Sequence, residues 1–412
     1  MTSRRRPFDG SSYAPVVVLA AATTGHGVAR SLGRLGVQAY GVYPSRAEVA
    51  RSRFWKGVKV LDVTRPPERT KIANLTRYGT SLPGRPHLIA TTDDQARFIA
   101  RHAALLQDTF LFPDVHHRLV DQLADKRRLY ALCRSLDVPT PISYFPENAA
   151  DLRATAGSLT FPLIAKGTET RGSSWHMKEI VHSFDDLARL LALMPPKAYE
   201  GFMLQEYLPA RPESRWLFNG YFDGSGRCLF GSTAVKHREN PISGGIASLA
   251  ECRNNSRLMS EASGFLSRIG YSGPVDIDYC YDGVADKYLV LDVNPRVGAS
   301  FRALVDDRGW DVARAMFADL EGIAVNPGRS LDRRRWLAEH ADLVSSLRYA
   351  RAGQLNFRTW ISSIVDVEEL AWFARDDPRP LLDLARLALT RLHRPVRHGG
   401  RQRGRRTPRH RP

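Results

Sequence analysis

Two short stretches past the middle of the chain carry the clearest alternation of apolar and polar positions. Val275 to Asp282 reads VDIDYCYD and Lys287 to Asn294 reads KYLVLDVN. Each is rich in β-branched and aromatic residues, with acids or an amide at alternate positions, the pattern of a strand with one polar face. Paired as a hairpin across Gly283 to Asp286, they set Asp278 beside Asp292, and Asn294, two residues on, shares that face. Two carboxylates and an amide oxygen form a hard-oxygen set suited to Mg²⁺, which keeps several waters and shares its shell with phosphates. Pro295 ends the strand and Arg296 follows it, in a place suited to clamping a phosphoryl group. Taken alone, Asp-x-Asn-Pro is equally a strand end with turn chemistry.

The pattern upstream predicts an α/β protein. Val16 to Ala22 is an apolar run, Thr23-Thr24-Gly25-His26-Gly27 reads as a turn, Val28 to Leu35 has helical spacing and Val37 to Val42 is a second strand. This β-α-β unit implies a parallel sheet. Gly25-x-Gly27 lacks a glycine at position 30, where Arg30 stands, and the second strand ends in Tyr43-Pro44 with no acid for a ribose, so a dinucleotide site is weakly supported. His87 to Ala90 is a further strand. Thr91-Thr92-Asp93-Asp94 follows at its carboxyl end, where ligands sit in open α/β sheets, though an N-cap explains Thr92 or Asp93 equally well.

Further on, Gln122 to Leu136 reads as one helix, ended by Val138-Pro-Thr-Pro141. Phe161 to Lys166 is a strand ending in a lysine, costly at an apolar strand end unless an anion compensates it. Gly167 to Ser174 has the small residues of a phosphate-covering loop, with Lys178 adding charge. Phe202 to Leu208 is a strand, and Trp216 to Asp223 and Arg227 to Ser232 form a hairpin. Lys236 and Arg238, two apart on an extended segment, share a face. Asn254 to Gly270 and Trp310 to Leu320 read as helices, and so does most of Arg329 to Leu389, whose aromatics suit a core.

The segment I-D-Y…V-L-D-V-N-P-R resembles the metal-binding hairpin of the ATP-grasp superfamily, commonly V-E-F…I-E-V-N-P-R. The resemblance runs from about Val16 to the low 320s, and the C-terminal part is similar to predicted bacterial carboxylate-amine ligases. Asp278 and Asp292 stand where glutamates are usual, each one methylene shorter. The resemblance implies an α/β ATP-grasp fold: a Rossmann-like pre-ATP-grasp domain over 14–121, then two α+β subdomains enclosing ATP over 122–325 (a small lobe to 204, a large lobe from 205). A C-terminal helical extension over 326–390 follows, with disordered ends at 1–13 and 391–412.

For function the resemblance implies an ATP-dependent ligase that joins a small-molecule carboxylate to an amine through an acyl phosphate. Asp278, Asp292 and Asn294 would hold Mg²⁺, or Mn²⁺ in its place. Lys126, in an Asp-Lys pair, and Lys166 would grip phosphates; backbone groups near Gln205, Glu206 and Tyr207 would read adenine, and Glu213 the ribose. Arg296, with Lys236 or Arg238, would stabilise the transferred phosphoryl. The shortened acids keep a non-catalytic ATP-binding sensor or scaffold as the alternative.

Charge changes this picture only at the ends. The net charge is +17, but nine arginines follow Thr390 and three occupy positions 4 to 6, leaving about +5 for the rest. Such a tail cannot bury apolar surface. Its plainer reading is solubilising; together with the amphipathic Pro380 to Leu389 helix it also suits a weak contact with anionic membrane. No aromatic interrupts it to stack a base, so no specific nucleic acid is expected. Four scattered cysteines without a C-x-x-C pair point to a reducing cytoplasm. A homodimer is the default expectation.

Overall fold

The structure is a computed structural model that describes residues 13–20, 22–46, 51–62, 66–168, 178–192, 199, 201–209, 211–242 and 244–392. The chain opens with a parallel sheet of β1 (Val16–Leu19), β2 (Ala39–Tyr43), β3 (Trp55–Val60) and β4 (His87–Ala90), in the order β3-β2-β1-β4. Its helices are α1 (Ala22–Gly33), α2 (Glu68–Thr80), α3 (Asp93–Arg101) and the short α4 (Ala103–Leu106).

The expected Thr23–Gly27 turn is instead wound into the start of α1. Its glycines serve close packing. A Cβ on Gly25 would come within 2.9 Å of the Ala20 Cβ, and one on Gly27 within 2.8 Å of the Phe301 ring, distances no side chain tolerates.

Where one helix was expected over Gln122–Leu136 there are two, α5 (His117–Ala124) and α6 (Lys126–Ser135). Asp125 breaks the run because its carboxylate accepts the Arg128 N–H (2.9 Å) as the N-cap of α6. Next comes a small antiparallel sheet of β5 (Ser143–Tyr144), β6 (Leu163–Gly167), β7 (Glu179–Val181) and β8 (Phe202–Glu206), ordered β5-β8-β6-β7. Leu152 of α7 (Ala149–Thr155) and Leu187 and Leu190 of α8 (Phe184–Ala192) join Leu163, Ala165 and Leu204 in its core. Of the expected phosphate loop, only Gly167 and Thr168 lie among the described residues.

The largest sheet holds β9 (Arg215–Phe222), β10 (Cys228–Asn240), β11 (Ile246–Cys252), β12 (Gly273–Asp282), β13 (Lys287–Asn294), β14 (Arg335–Leu337) and β15 (Val367–Leu370). Its order is β13-β12-β9-β10-β11-β14-β15. The accompanying helices are α9 (Ser256–Arg268), α10 (Val312–Leu320), α11 (Glu339–Arg351), α12 (Phe357–Val365) and α13 (Arg379–Leu392).

The C-terminal segment, expected to be helical, therefore also adds two strands to this sheet. At three and four residues, β14 and β15 are too short to display a period of two. The cores are shared between the first and last sheets: Val28 and Leu32 of α1 pack in one cluster with Val297, Phe301, Met316 and Phe317. The C-terminal segment seals that junction. The fully buried Arg30 on α1 donates to the Leu370, Ala371, Trp372 and Asp377 carbonyls at 2.5–3.3 Å and pairs with the Asp377 carboxylate at 3.0 Å. Among the described residues no helix is long and apolar enough to cross a membrane.

Candidate active site

The site grows from the β12–β13 hairpin. Val275, Ile277 and Tyr279 point into the core beneath α9, so Asp276 and Asp278 point to the opposite face. On β13 the register slips by one at Leu291: Asp278 stands opposite Asp292, whereas Tyr279 stands opposite Val290. This bulge lets Val290 and Val293 share the core while Asp292 and Asn294 both face the other way. The hydroxyl of Tyr130 donates to the Leu291 carbonyl (3.0 Å), holding the bulge from α6. Asn294, opposite Asp276, donates its amide N–H to the Asp276 carbonyl (3.2 Å), which leaves its oxygen as the donor for a cation.

Each carboxylate faces a cation brought by a different element. The Lys126 ammonium, at the start of α6, lies 3.0 Å from Asp292, and the Lys236 ammonium on β10 lies 2.6 Å from Asp278 and 3.6 Å from Glu239. Arg296 bridges Asp93 of α3 (3.2 Å) and Asp276 (3.4 Å). Lys166, at the end of β6, donates to the Gln205 side chain (2.8 Å), whose amide in turn donates to Tyr130 (2.8 Å) and Ser143 (3.0 Å).

Electrostatics sorts these groups. Burial, together with Lys126 and Lys178, pushes the Lys166 ammonium well below the ordinary lysine value. For Lys236 burial acts the same way, but Asp278 and Glu239 outweigh it and raise its pKa. Burial opposes the charge of Asp292 too, yet Lys126, Lys166 and Arg296 hold its carboxyl below the usual range. Asp276, desolvated between β9 and β13, is pushed up to about 6 despite Arg296 and the Asn219 amide (2.6 Å). Among the described residues Lys166 has no acid at hydrogen-bond distance, and its charge is the one the surroundings compensate least.

The expected metal ligands Asp278, Asp292 and Asn294 and the cations Lys126, Lys236 and Arg296 thus converge on one face, with Lys166 approaching from the small sheet. Arg238 does not join them. A register shift on each side of Arg238 in β10 breaks its alternation with Lys236, and its guanidinium is held by Asp342 of α11 (2.7 and 3.0 Å) and Ser363 (2.7 Å). Glu213 is half-exposed in a turn with φ of 58° and pairs with Arg253 (2.5 Å). At the expected adenine edge, the Glu206 and Tyr207 N–H groups already donate to the Ile142 and Pro162 carbonyls (2.9 and 3.1 Å), and the Glu206 carboxylate accepts the Ile142 N–H (3.0 Å).

Sequence reasoning missed Asp276 and Asn219 as members of the cluster. The alternation that singled out Asp278 also placed Asp276 on its face, so that signal was present. The pairing with Asn219, which sits opposite Asp276 on β9, required the sheet order.

A parallel sheet followed by two antiparallel-rich sheets, with Lys166 of the small sheet approaching the carboxylates of the large one, is the ATP-grasp fold, and solved structures confirm that architecture. The chain is similar to N5-carboxyaminoimidazole synthetase from Staphylococcus aureus complexed with ADP (TM-score 0.61, 12% identity, 84% of this chain and 88% of that one). It is similar to an L-amino acid ligase from Bacillus licheniformis (TM-score 0.56, 14% identity, 77% and 76%). Among curated proteins it is similar to D-aspartate ligase of Enterococcus faecium, at 22% identity over 244 residues, 56% of this chain. The match spans 58% of that relative's length. No family model matches the chain.

Proposed function

We propose that the chain is an ATP-dependent ligase that joins a carboxylate to an amine through an acyl phosphate. The observation that carries this reading is the charge-paired face of the hairpin: Asp278 and Asp292 stand opposite one another, each balanced by a lysine from a different element. Such pairs are poised for exchange. Nucleotide phosphates would take over Lys126, Lys166 and Lys236, and the released carboxylates, with the Asn294 oxygen, would hold a divalent cation.

The donor set fits that cation. It is two carboxylates and an amide oxygen on one face, all hard oxygen donors suited to an ion that completes its shell with phosphate and water. Mg²⁺, or Mn²⁺, held there would neutralise charge building on the phosphates. The chain's own residues supply placement and charge. Lys126 and Lys166 orient the phosphates, and Arg296 and Lys236 face the γ-phosphoryl as a substrate carboxylate oxygen attacks it and ADP departs. An amine nitrogen then forms the C–N bond and sheds a proton, while the C–O bond to phosphate breaks and inorganic phosphate leaves with that electron pair.

The relatives' names support the class of chemistry, since they describe ligases for an amino acid and for D-aspartate. The test is ATP turnover with Mg²⁺ across a panel of acids that includes amino acids of both hands, with hydroxylamine added to trap an acyl phosphate as a hydroxamate. The expected result is a hydroxamate with one acid and loss of roughly a hundredfold or more in rate on Asp292→Asn. MgATP binding with no hydroxamate from any acid would replace this reading with the sensor.

A further inference from the structure

Asp93 stands out because its local duties are already met by others. α3 begins at Asp93, the residue after Thr92, and its cap is complete without the Asp93 side chain. Thr92 accepts the Gln95 N–H (3.4 Å), while the Gln95 side chain returns to the Thr92 and Thr91 N–H groups (3.1 and 2.8 Å). The other acid of the first turn, Asp94, faces solvent. Asp93 instead turns from the carboxyl end of β4 across the junction between the first and last sheets, and meets Arg296 at 3.2 Å. A carboxylate taken out of water in this way is costly unless paired, and the cation that pairs it, Arg296, is shared with Asp276.

Its surroundings define its role. On the far side of Arg296 lies Asp276, fixed by Asn219. Gly298 backs this acid so closely that a Cβ there would sit 2.5 Å from the Asp276 Cγ. The electrostatic neighbours of Asp93 are Arg296, Asp292, Lys126 and Arg97. Asp93 therefore sits beside the phosphate-binding face without a place in it: Lys126 pairs with Asp292, and Lys236 with Asp278. An acid at the edge of a cationic phosphate site repels the nucleotide and offers a proton acceptor to the one substrate whose nitrogen must shed a proton, the amine.

From this we infer that Asp93 receives the acceptor amine, accepting a hydrogen bond from its neutral nitrogen beside Arg296 and taking its proton as the nitrogen attacks. This assignment rests on the ligase reading and adds the second substrate's subsite to it. In the step, the nitrogen lone pair forms the bond to the acyl carbon, the acyl C–O bond breaks toward inorganic phosphate, and the nitrogen's proton passes to the Asp93 carboxylate.

The experiment uses the full chain, the acid that yields a hydroxamate, ATP, Mg²⁺ and hydroxylamine as the amine probe. Wild type, Asp93→Asn, Asp93→Glu and the control Asp94→Asn are compared, each checked for its melting temperature. The expected result for Asp93→Asn is a drop of tenfold or more in kcat/KM for hydroxylamine. The KM values for ATP and acid and the slow ADP release without amine stay within about twofold, the margin separating selective from uniform loss. Asp93→Glu restores part of the hydroxylamine rate and Asp94→Asn matches wild type. Equal loss of ADP release and hydroxamate in Asp93→Asn would overturn the assignment, as Asp93 would then merely position Arg296; so would no change in either rate. A wild-type chain that yields neither ADP nor hydroxamate with any acid would overturn the ligase reading itself, and this assignment with it.

Discussion

Arg238 is the residue on which sequence and structure make opposite demands, so its replacement is the sharpest test. Its guanidinium makes two hydrogen bonds to Asp342 and one to Ser363, and both members of the ion pair are almost wholly buried. Arg238→Met keeps much of the apolar stem but strands the Asp342 carboxylate. Removing one partner of a buried pair costs about 3–5 kcal/mol. Asp342 retains Ser248 (3.2 Å), Ser346 (3.2 Å) and the Trp360 indole (3.0 Å), which places the expected loss near the lower end, about 3 kcal/mol. That is a large part of the ~5–15 kcal/mol that separates folded from unfolded proteins. Urea unfolding reads it directly, and Asp342→Asn added to the variant removes the stranded charge and should recover at least about 1 kcal/mol. MgATP affinity per folded molecule should be unchanged. A variant as stable as wild type but unable to turn over ATP would refute the structural role and return Arg238 to the phosphoryl site.

Two further outcomes follow from shifted ionisations. Lys166 is held well below the ordinary lysine value in the free protein by burial and by Lys126 and Lys178, and phosphates restore its charge. ATP binding should therefore take up a proton and weaken as pH rises through the depressed pKa. Calorimetry above the phosphate pKa of about 6, in buffers of different ionisation enthalpy, would show the uptake, and an undiminished uptake in Lys166→Met would refute the assignment. Glu251 works in the opposite direction: burial resists its charge, but hydrogen bonds from Arg253 and Arg335 hold its pKa at about 2 against an ordinary 4.5. A depressed acid stabilises the fold above its unfolded pKa and loses that contribution as pH falls toward its folded one. About 3 kcal/mol should thus disappear between pH 4.5 and 2, and a Glu251→Gln variant whose stability falls as steeply over that range would refute it.

The hairpin was legible because burial on one face and charge on the other impose a period of two that survives in the sequence, and Asp278 and Asp292 meet as that pattern predicts. Its bulge at Leu291 was not legible, since the same letters fit an unbroken strand. Asp125 illustrates a second limit. Within an apolar-periodic run it reads as helix interior, and only the Arg128 N–H that it accepts reveals a cap. Asp93 and Thr92 looked equally able to cap α3, and the reciprocal bond with Gln95 decided between them. The partner of Arg238 was not legible for a tertiary reason, because Asp342 lies 104 residues away on a helix whose docking no local pattern encodes.

Arg30 has a consequence for the order in which this molecule is made. It sits in α1, the first helix among the described residues, yet 347 residues separate it from Asp377, which takes its charge. At roughly 5–20 residues per second, its partners emerge on the order of 20 to 70 s later. Until then the opening domain carries a guanidinium that cannot be buried, and its face toward the future C-terminus must stay wet. A domain made early is thus finished only after its distant partners emerge, and any fragment ending before residue 370 inherits that incomplete surface permanently.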